Sequence, residues 1–266
     1  MSGHGNDFII VDNSHGNIPM DWEKCAPVWC SNHLSIGADG LLVLEPSRIA
    51  DFVLRIFNSD GSEAEMCGNG TRCAASFVAK RMSTGSSMVF ETMAGVVKAY
   101  VMGKTAYVQL TEPSELHKGI TLNTGATKLM VYTINTGVPH AILFKDHVSE
   151  MSPDELARLG KFVRYHEAFQ PEGINVNFVE VMGPGLIRVR TYERGVEAET
   201  MACGTGAAAS AILSHIVRGT GGPPFHVQMP GGVLKIDFTK NDAVFGDVWL
   251  AGEVSWIYDG EIRGEV

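Results

Sequence analysis

The chain has 266 residues, 45% of them hydrophobic, with 30 acidic against 21 basic side chains and a net charge of −9. That length and apolar content suffice for one large domain or two ordinary ones, while the acidic balance and the lack of a Lys/Arg run argue against a nucleic-acid partner. No apolar stretch approaches the roughly 20 residues that a membrane-spanning helix needs, and the N-terminal MSGHGNDFIIVD lacks a basic segment followed by a long apolar block, so the expectation is a cytoplasmic protein with no membrane partner.

Short runs rich in Val, Ile and Phe predict strands over residues 7–12, 40–45, 52–57, 88–92, 95–101 and 105–110. A helical pattern falls near 21–32, and another over about 70–82 follows a Cys-Gly-x-Gly at 67–70. The polar, turn-rich LTEPSELHKGITLNTGATK at 110–128 reads as a join. Beyond it, strands are predicted over 129–134, 140–145, 175–181, 186–192, 225–229, 232–238 and 246–251. Helices are predicted near 153–162 and over about 206–217, the latter after a second Cys-Gly-x-Gly at 203–206. The C-terminal WIYDGEI (256–262) reads as returning to the first half, which gives domains of 1–112 with 253–266, and 113–252.

The two halves are similar to each other. RIFNSDGSEAEMCGNG (55–70) matches RTYERGVEAETMACGTG (190–206), and GVVKAY (95–100) matches GVLKID (232–237). Weaker matches pair NDFIIVD (6–12) with PHAILFKD (139–146) and LVLE (42–45) with FVEV (178–181). All are collinear, which points to duplication. Each half is then a sheet-rich unit whose central helix starts at a cysteine.

The five cysteines are an odd number without C-x-x-C spacing, which argues against a disulfide framework and structural zinc. Cys25, Cys30 and Cys73 read as small buried apolar residues. Cys67 and Cys203 sit in the duplicated element. A helix start offers unpaired N–H groups and partial positive charge, and flanking glycines let an anion approach. The same field favours a thiolate. Two such elements facing one ligand across a pseudo-two-fold would suit removal of a proton from one face of a carbon and delivery to the other. That is two-base racemisation or epimerisation of a small amino-acid substrate, with no metal and no cofactor. A phosphate loop is the rival reading of the glycines, but G-x-x-x-x-G-K-[ST] is absent.

GHGNDFIIVD (3–12), IGADGLLVLEPS (36–47), FNSDGSEAEMCGNGTRCAA (57–75), GVPHAILF (137–144), GINVNFVEV (173–181) and YERGVEAETMACGTGAAAS (192–210) together resemble the diaminopimelate epimerase family. The resemblance implies conversion of LL-2,6-diaminopimelate to the meso form in lysine and cell-wall precursor synthesis. It implies an α/β fold of two pseudo-symmetric lobes, each a mixed sheet or barrel wrapped around a central helix, with the active site in the cleft between them, and a homodimer. Carried over by residue, Cys67 and Cys203 are the acid/base thiols, one ionised at rest, with roles that swap with substrate configuration. Glu193 and His140 are the supporting polar pair that tunes the site and holds the reacting amino group. Gly68, Asn69, Gly204 and Thr205 supply donors to the reacting carboxylate. Asn6, Asn58, Asn175 and Arg194 match substrate-binding positions, Arg194 being suited to a bidentate hold on the distal carboxylate.

Some residues depart from the family pattern. Val138 stands where many members have asparagine, Gly40 where some have glutamine, and Ala198 replaces a common glycine. Asn32 and Ser35 also differ, and the strand before the Gly-x-Gly-Asn-Asp block is nearly absent. Without the resemblance, Asn58 in NSDG reads equally as a turn residue and His140 as a satisfied core histidine. The alternative function is a same-fold racemase of another amino acid. A proline racemase is disfavoured by Asn69 in place of a histidine, a non-catalytic carboxylate binder has no need of thiols, and a cysteine hydrolase leaves the second cysteine without a task.

Overall fold

The computed structural model describes residues 1–82, 85–123, 128–241 and 244–262, the side chain of residue 118 excepted. Positions 124–127 of the expected join and 263–266 of the C-terminal segment lie outside the described residues. The chain separates into two compact units, one of Met1–Gln109 with Ala251–Val266, the other of Leu110–Leu250.

The first unit runs β1 (Ser2–Gly3), β2 (Asn6–Asp12), α1 (Trp22–Trp29), β3 (Gly40–Glu45), β4 (Phe52–Asn58), α2 (Gly68–Arg81), β5 (Ser87–Thr92), β6 (Gly95–Met102) and β7 (Thr105–Gln109). These strands are neighbours in that order. β2 is parallel to β3, β3 antiparallel to β4, β4 parallel to β5, and β5 antiparallel to β6. The period-2 alternation of a strand decides what β3 covers. Leu41 and Val43 pack with Trp22, Ala26 and Trp29 of α1, whereas Leu42 and Leu44 pack with Cys73, Ala74 and Val78 of α2. A strand buried on both faces carries no polar alternation, and GLLVLE has none before its last residue. The C-terminal segment closes onto this unit, with Trp256 stacked on Phe77 at 5.6 Å and Asp259 paired with Arg81 at 2.6 Å.

The second unit runs β8 (Ser114–Asn123), β9 (Lys128–Asn135), β10 (Pro139–Phe144), α3 (Pro153–Arg164), β11 (Asn175–Gly183), β12 (Leu186–Glu193), β13 (Ala198–Thr200), α4 (Gly204–Leu213), β14 (Phe225–Met229) and β15 (Gly232–Asn241). It also holds the start of β16 (Val244–Glu253). β10 is parallel to β11, β11 antiparallel to β12, β12 parallel to β14, and β14 antiparallel to β15. This is the pairing sequence of β2 to β6, with a helix at each of the same two connections. The collinear matches read in the sequence fall on equivalent strands: β2 with β10, β3 with β11, β4 with β12, and β6 with β15.

Each unit wraps its sheet around one helix. α2 packs against β1, β2, β3, β4, β6 and β7, and α4 against β9, β10, β11, β12, β14 and β15. A helix touched on all sides must be slim and lack a polar face. GTGAAASAIL meets that requirement, and every residue from Gly206 to Leu213 is buried. On the outer face, α3 starts at Ser152, whose hydroxyl accepts from Glu155 N at 3.1 Å, with Pro153 in its first turn. It buries Leu156, Gly160 and Val163 toward β11 and β12.

Two expectations fail. The join at 110–128 contains β8, which pairs antiparallel with β9 through two register shifts. Its polar sequence belongs to an edge strand, the last on the path, where much of the surface meets water. The predicted helix over 206–217 stops at Leu213 and continues as a single π turn, Ser214–Arg218, ended by Gly219 at φ +62°.

Gly160 lies so close to Tyr192 that an added Cβ would stand 2.5 Å from the ring's Cγ. Gly160→Ala is expected to lose about 1–3 kcal/mol through overpacking. Gly183→Ala, where a Cβ meets nothing within 4 Å, should change stability by less than about 0.5 kcal/mol. Urea midpoints of the two variants check this.

Candidate active site

The loop carrying each cysteine is clipped to its own strand by a bidentate ion pair. Arg55 of β4 donates through Nε and Nη2 to Glu63 at 2.8 and 2.7 Å. Arg190 of β12 donates in the same way to Glu199 at 2.6 and 2.7 Å. Both glutamates stand four residues before their cysteine, so the duplicated Arg and Glu hold the approach to the helix start.

Cys67 and Cys203 are the N-caps of α2 and α4, both in extended backbone conformation. Each sulfur accepts from the third residue on, Gly70 N and Gly206 N, at 3.4 Å. The first intrahelical bonds are Thr71 N to Cys67 O at 2.8 Å and Ala207 N to Cys203 O at 2.9 Å. The N–H groups of Gly68 and Asn69, and of Gly204 and Thr205, therefore belong to the first turns of the two helices. Both second glycines sit in close quarters: a Cβ at Gly206 would lie 2.5 Å from Asn177 Oδ1, too close to stand without a shift, and one at Gly70 would lie 3.0 Å from Leu42 Cδ2, a tight contact with the end of a flexible side chain.

In the first unit Asn69 is buried and central. Its Nδ2 donates to Asn6 Oδ1 at 2.6 Å, and its Oδ1 accepts from Arg72 Nη2 at 2.8 Å. Asn6 in turn donates to Asp39 at 3.0 Å. Arg72 is fully buried and, among the described residues, has no carboxylate bound to it. It meets His4 Nδ1 at 3.2 Å, and its Nε has no partner. Burial lowers the guanidinium to about 10, against the raising influence of the nearby Cys73 and Cys67 thiols, so it is a cation at neutral pH. His4 and Gly5, both at positive φ, form the tight loop between β1 and β2 that brings His4 to this point. Asn58 is exposed at the end of β4, where its side chain donates to Ser62 Oγ at 3.0 Å and its carbonyl accepts from Gly61 N.

In the second unit His140 is fully buried. Its Nε2 lies 3.0 Å from Thr205 Oγ1, which lies 3.5 Å from Cys203 Sγ. Burial first, and the Arg194 charge second, pull the imidazole down to about 3, so it is neutral. Glu193 closes β12, accepting from Thr200 Oγ1 at 2.8 Å. Burial raises its carboxyl, and the Thr200 hydrogen bond partly offsets this. Asn175, opposite His140 in the β10–β11 register, donates to Pro139 O at 3.2 Å and accepts from Arg194 N at 2.9 Å. Arg194 borders a cavity of about 610 Å³ lined also by His117, Asn135, Pro139, Phe169 and Glu172, but by neither cysteine. Among the described residues no cluster of three or more His, Cys, Asp or Glu is arranged to hold a metal.

The other cysteines are buried. Desolvation pushes Cys30 up to about 11 and Cys73 to about 12, as expected of inert core thiols.

A model of the family described as diaminopimelate epimerase matches residues 1–115 and 132–257. The diaminopimelate epimerase of Aquifex aeolicus is 40% identical over 278 residues, covering 100% of this chain and 97% of its own. That of Archaeoglobus fulgidus is 39% identical, with 99% and 95% covered. The chain belongs to the diaminopimelate epimerase family. Solved structures with the same fold include a phenazine biosynthesis protein from Bacillus anthracis, with TM-score 0.71, 16% identity and 95% and 92% coverage. A hydroxyproline epimerase from Agrobacterium vitis gives TM-score 0.67, 15% identity and 95% and 87% coverage.

Three buried polar residues escape the sequence reading: Arg72, and the pair Asn177 and Thr191, in which Asn177 Nδ2 lies 3.1 Å from His140 Nδ1 and Asn177 Oδ1 accepts from Thr191 Oγ1 at 2.8 Å. For Asn177 a signal exists in NVNFVEV: two asparagines at i and i+2 share one face of a strand that is otherwise apolar up to Glu180.

The unfolded chain's His140 takes up a proton near pH 6.5, the folded one only near pH 3. Between those values the unfolded state binds more protons. The contribution of neutral His140 is therefore complete above about pH 6.5 and is lost as pH falls toward 3. Against His140→Gln, the wild-type advantage in denaturant midpoint should be largest at pH 7 and shrink by pH 5; parallel curves would count against this.

Proposed function

We propose that the protein interconverts LL- and meso-diaminopimelate by a two-base reaction using Cys67 and Cys203. The observation that carries the reading is the paired design: in a chain of this family, two units of the same topology each place a cysteine as N-cap of an enclosed helix. Inversion of a carbon needs one group to remove a proton and another to supply one on the opposite face. A thiolate takes the α-hydrogen as a proton, leaving the electron pair on the α-carbon and its carboxylate. The other thiol gives its proton to that carbon and becomes the thiolate. The net change is configuration alone, and exchange with water resets the pair.

The developing charge on the carboxylate needs preorganised donors, and we assign that task to the first-turn N–H groups of Gly68, Asn69, Gly204 and Thr205. The buried cation of Arg72 strengthens the anion-favouring field of the first half-site. Asn6, Asn58, Asn175 and Arg194 are assigned to the substrate, Arg194 to its distal carboxylate. Glu193, with its raised pKa, supports the reacting amino group, and His140 acts from behind Thr205. The reading calls for no cofactor, and it carries with it a cytoplasmic homodimer serving lysine and cell-wall precursor synthesis.

In heavy water, purified reduced protein should place deuterium at the α-carbon of LL-diaminopimelate as the meso isomer forms. Absence of exchange by well-folded protein would overturn the reading. Cys67→Ala and Cys203→Ala should each lower turnover by more than about 100-fold, the lower end of what positioned acid–base groups supply. Full turnover in either variant would remove that thiol from the mechanism. A screen of other amino acids, read by the same exchange, separates this substrate from the racemase alternative.

A further inference from the structure

Behind Thr205 and His140 lies a second layer of polar groups that neither the thiols nor substrate binding explains. Asn177 of β11 and Thr191 of β12 are both fully buried. Asn177 Nδ2 donates to the Ala141 carbonyl at 3.2 Å, and a carbonyl can only accept, so the amide has one allowed orientation. Its Oδ1 accepts from the Thr191 hydroxyl at 2.8 Å. The other N–H of Nδ2 is then aimed at His140 Nδ1, 3.1 Å away. A ring nitrogen that faces a donor must offer its lone pair, which leaves the proton of the neutral imidazole on Nε2. Nε2–H faces Thr205 Oγ1 at 3.0 Å. Thr205 accepts there, and its own hydrogen can turn to Cys203 Sγ at 3.5 Å.

We propose that Asn177 is a positioning residue that holds His140 in the Nε2–H tautomer and so, through Thr205, directs a hydrogen bond at the Cys203 sulfur. Only the catalytic consequence rests on the two-thiol reading above. Packing alone does not require an asparagine at this place. In the first unit the side chain against the equivalent glycine, Gly70, is Leu42, and the same strand–helix arrangement forms around it. The two half-sites therefore differ: one sulfur is backed by a directed chain of neutral donors, and the other stands near the buried Arg72 cation.

Nitrogen-detected histidine spectra of the full chain at pH 7 test this directly. Wild-type His140 should show a protonated Nε2 and an unprotonated Nδ1; the reverse would overturn the proposal without any variant. In Asn177→Asp an ionised carboxylate can only accept, so Nδ1 should gain a proton, and an Nδ1 that stays unprotonated would equally overturn it. In Asn177→Leu, alkylation of Cys203 by iodoacetamide should slow on the order of tenfold, through a smaller thiolate fraction, with Cys67 in the same sample as the reference. Equal slowing of both cysteines, or of neither, would count against a directed effect. None of these readouts depends on which amino acid is turned over, so failure of diaminopimelate turnover would leave them intact.

Discussion

A helix packed against strands on several sides must find partners for the N–H groups of its first turn without a bulky cap. Both α2 and α4 meet this constraint with a cysteine, whose sulfur accepts from the third amide on, and with glycines where strands press closest. The fold thus has a reason to place Cys-Gly-x-Gly at a helix start before any chemistry is asked of it. The result is a sulfur held beside first-turn amides at the positive end of a helix.

The two halves keep this frame and change what stands behind it. In the first unit the polar layer runs from Asp39 through Asn6 and Asn69 to Arg72, and it ends in a buried cation. In the second it runs through Thr205, His140 and Asn177 to Thr191, all neutral. A duplicated backbone with unlike linings suits a reaction in which the two thiols occupy opposite protonation states. His140 illustrates how context overrides residue type: histidine titrates near neutrality in water, and here full burial removes that capacity.

Much of the frame was legible because the strands obey simple patterns. β3 reads as a continuous apolar run since both its faces are covered, and the repeated Arg and Glu mark the forks that clip each cysteine loop. β8 was not legible, because an edge strand with two register shifts looks like a loop in composition. The end of α4 was missed because apolar residues continue past Leu213 while the hydrogen-bond pattern widens. Among the site residues, Cys67 and Cys203 stood out by repetition. Asn58 ends a strand and builds a turn, donating to Ser62 Oγ.

The sequence by itself determined the duplication, the two capped helix starts and the membership in a family, because each depends on residue type and spacing along the chain. Tertiary structure decided which polar groups stand behind those starts. Arg72, Asn177 and Thr191 acquire meaning only when folding brings groups distant in sequence within hydrogen-bond reach and removes water from around them. Burial then limits what each one can do: it lowers the Arg72 guanidinium only to about 10, which leaves a cation, and it lowers the His140 imidazole to about 3, which leaves it neutral.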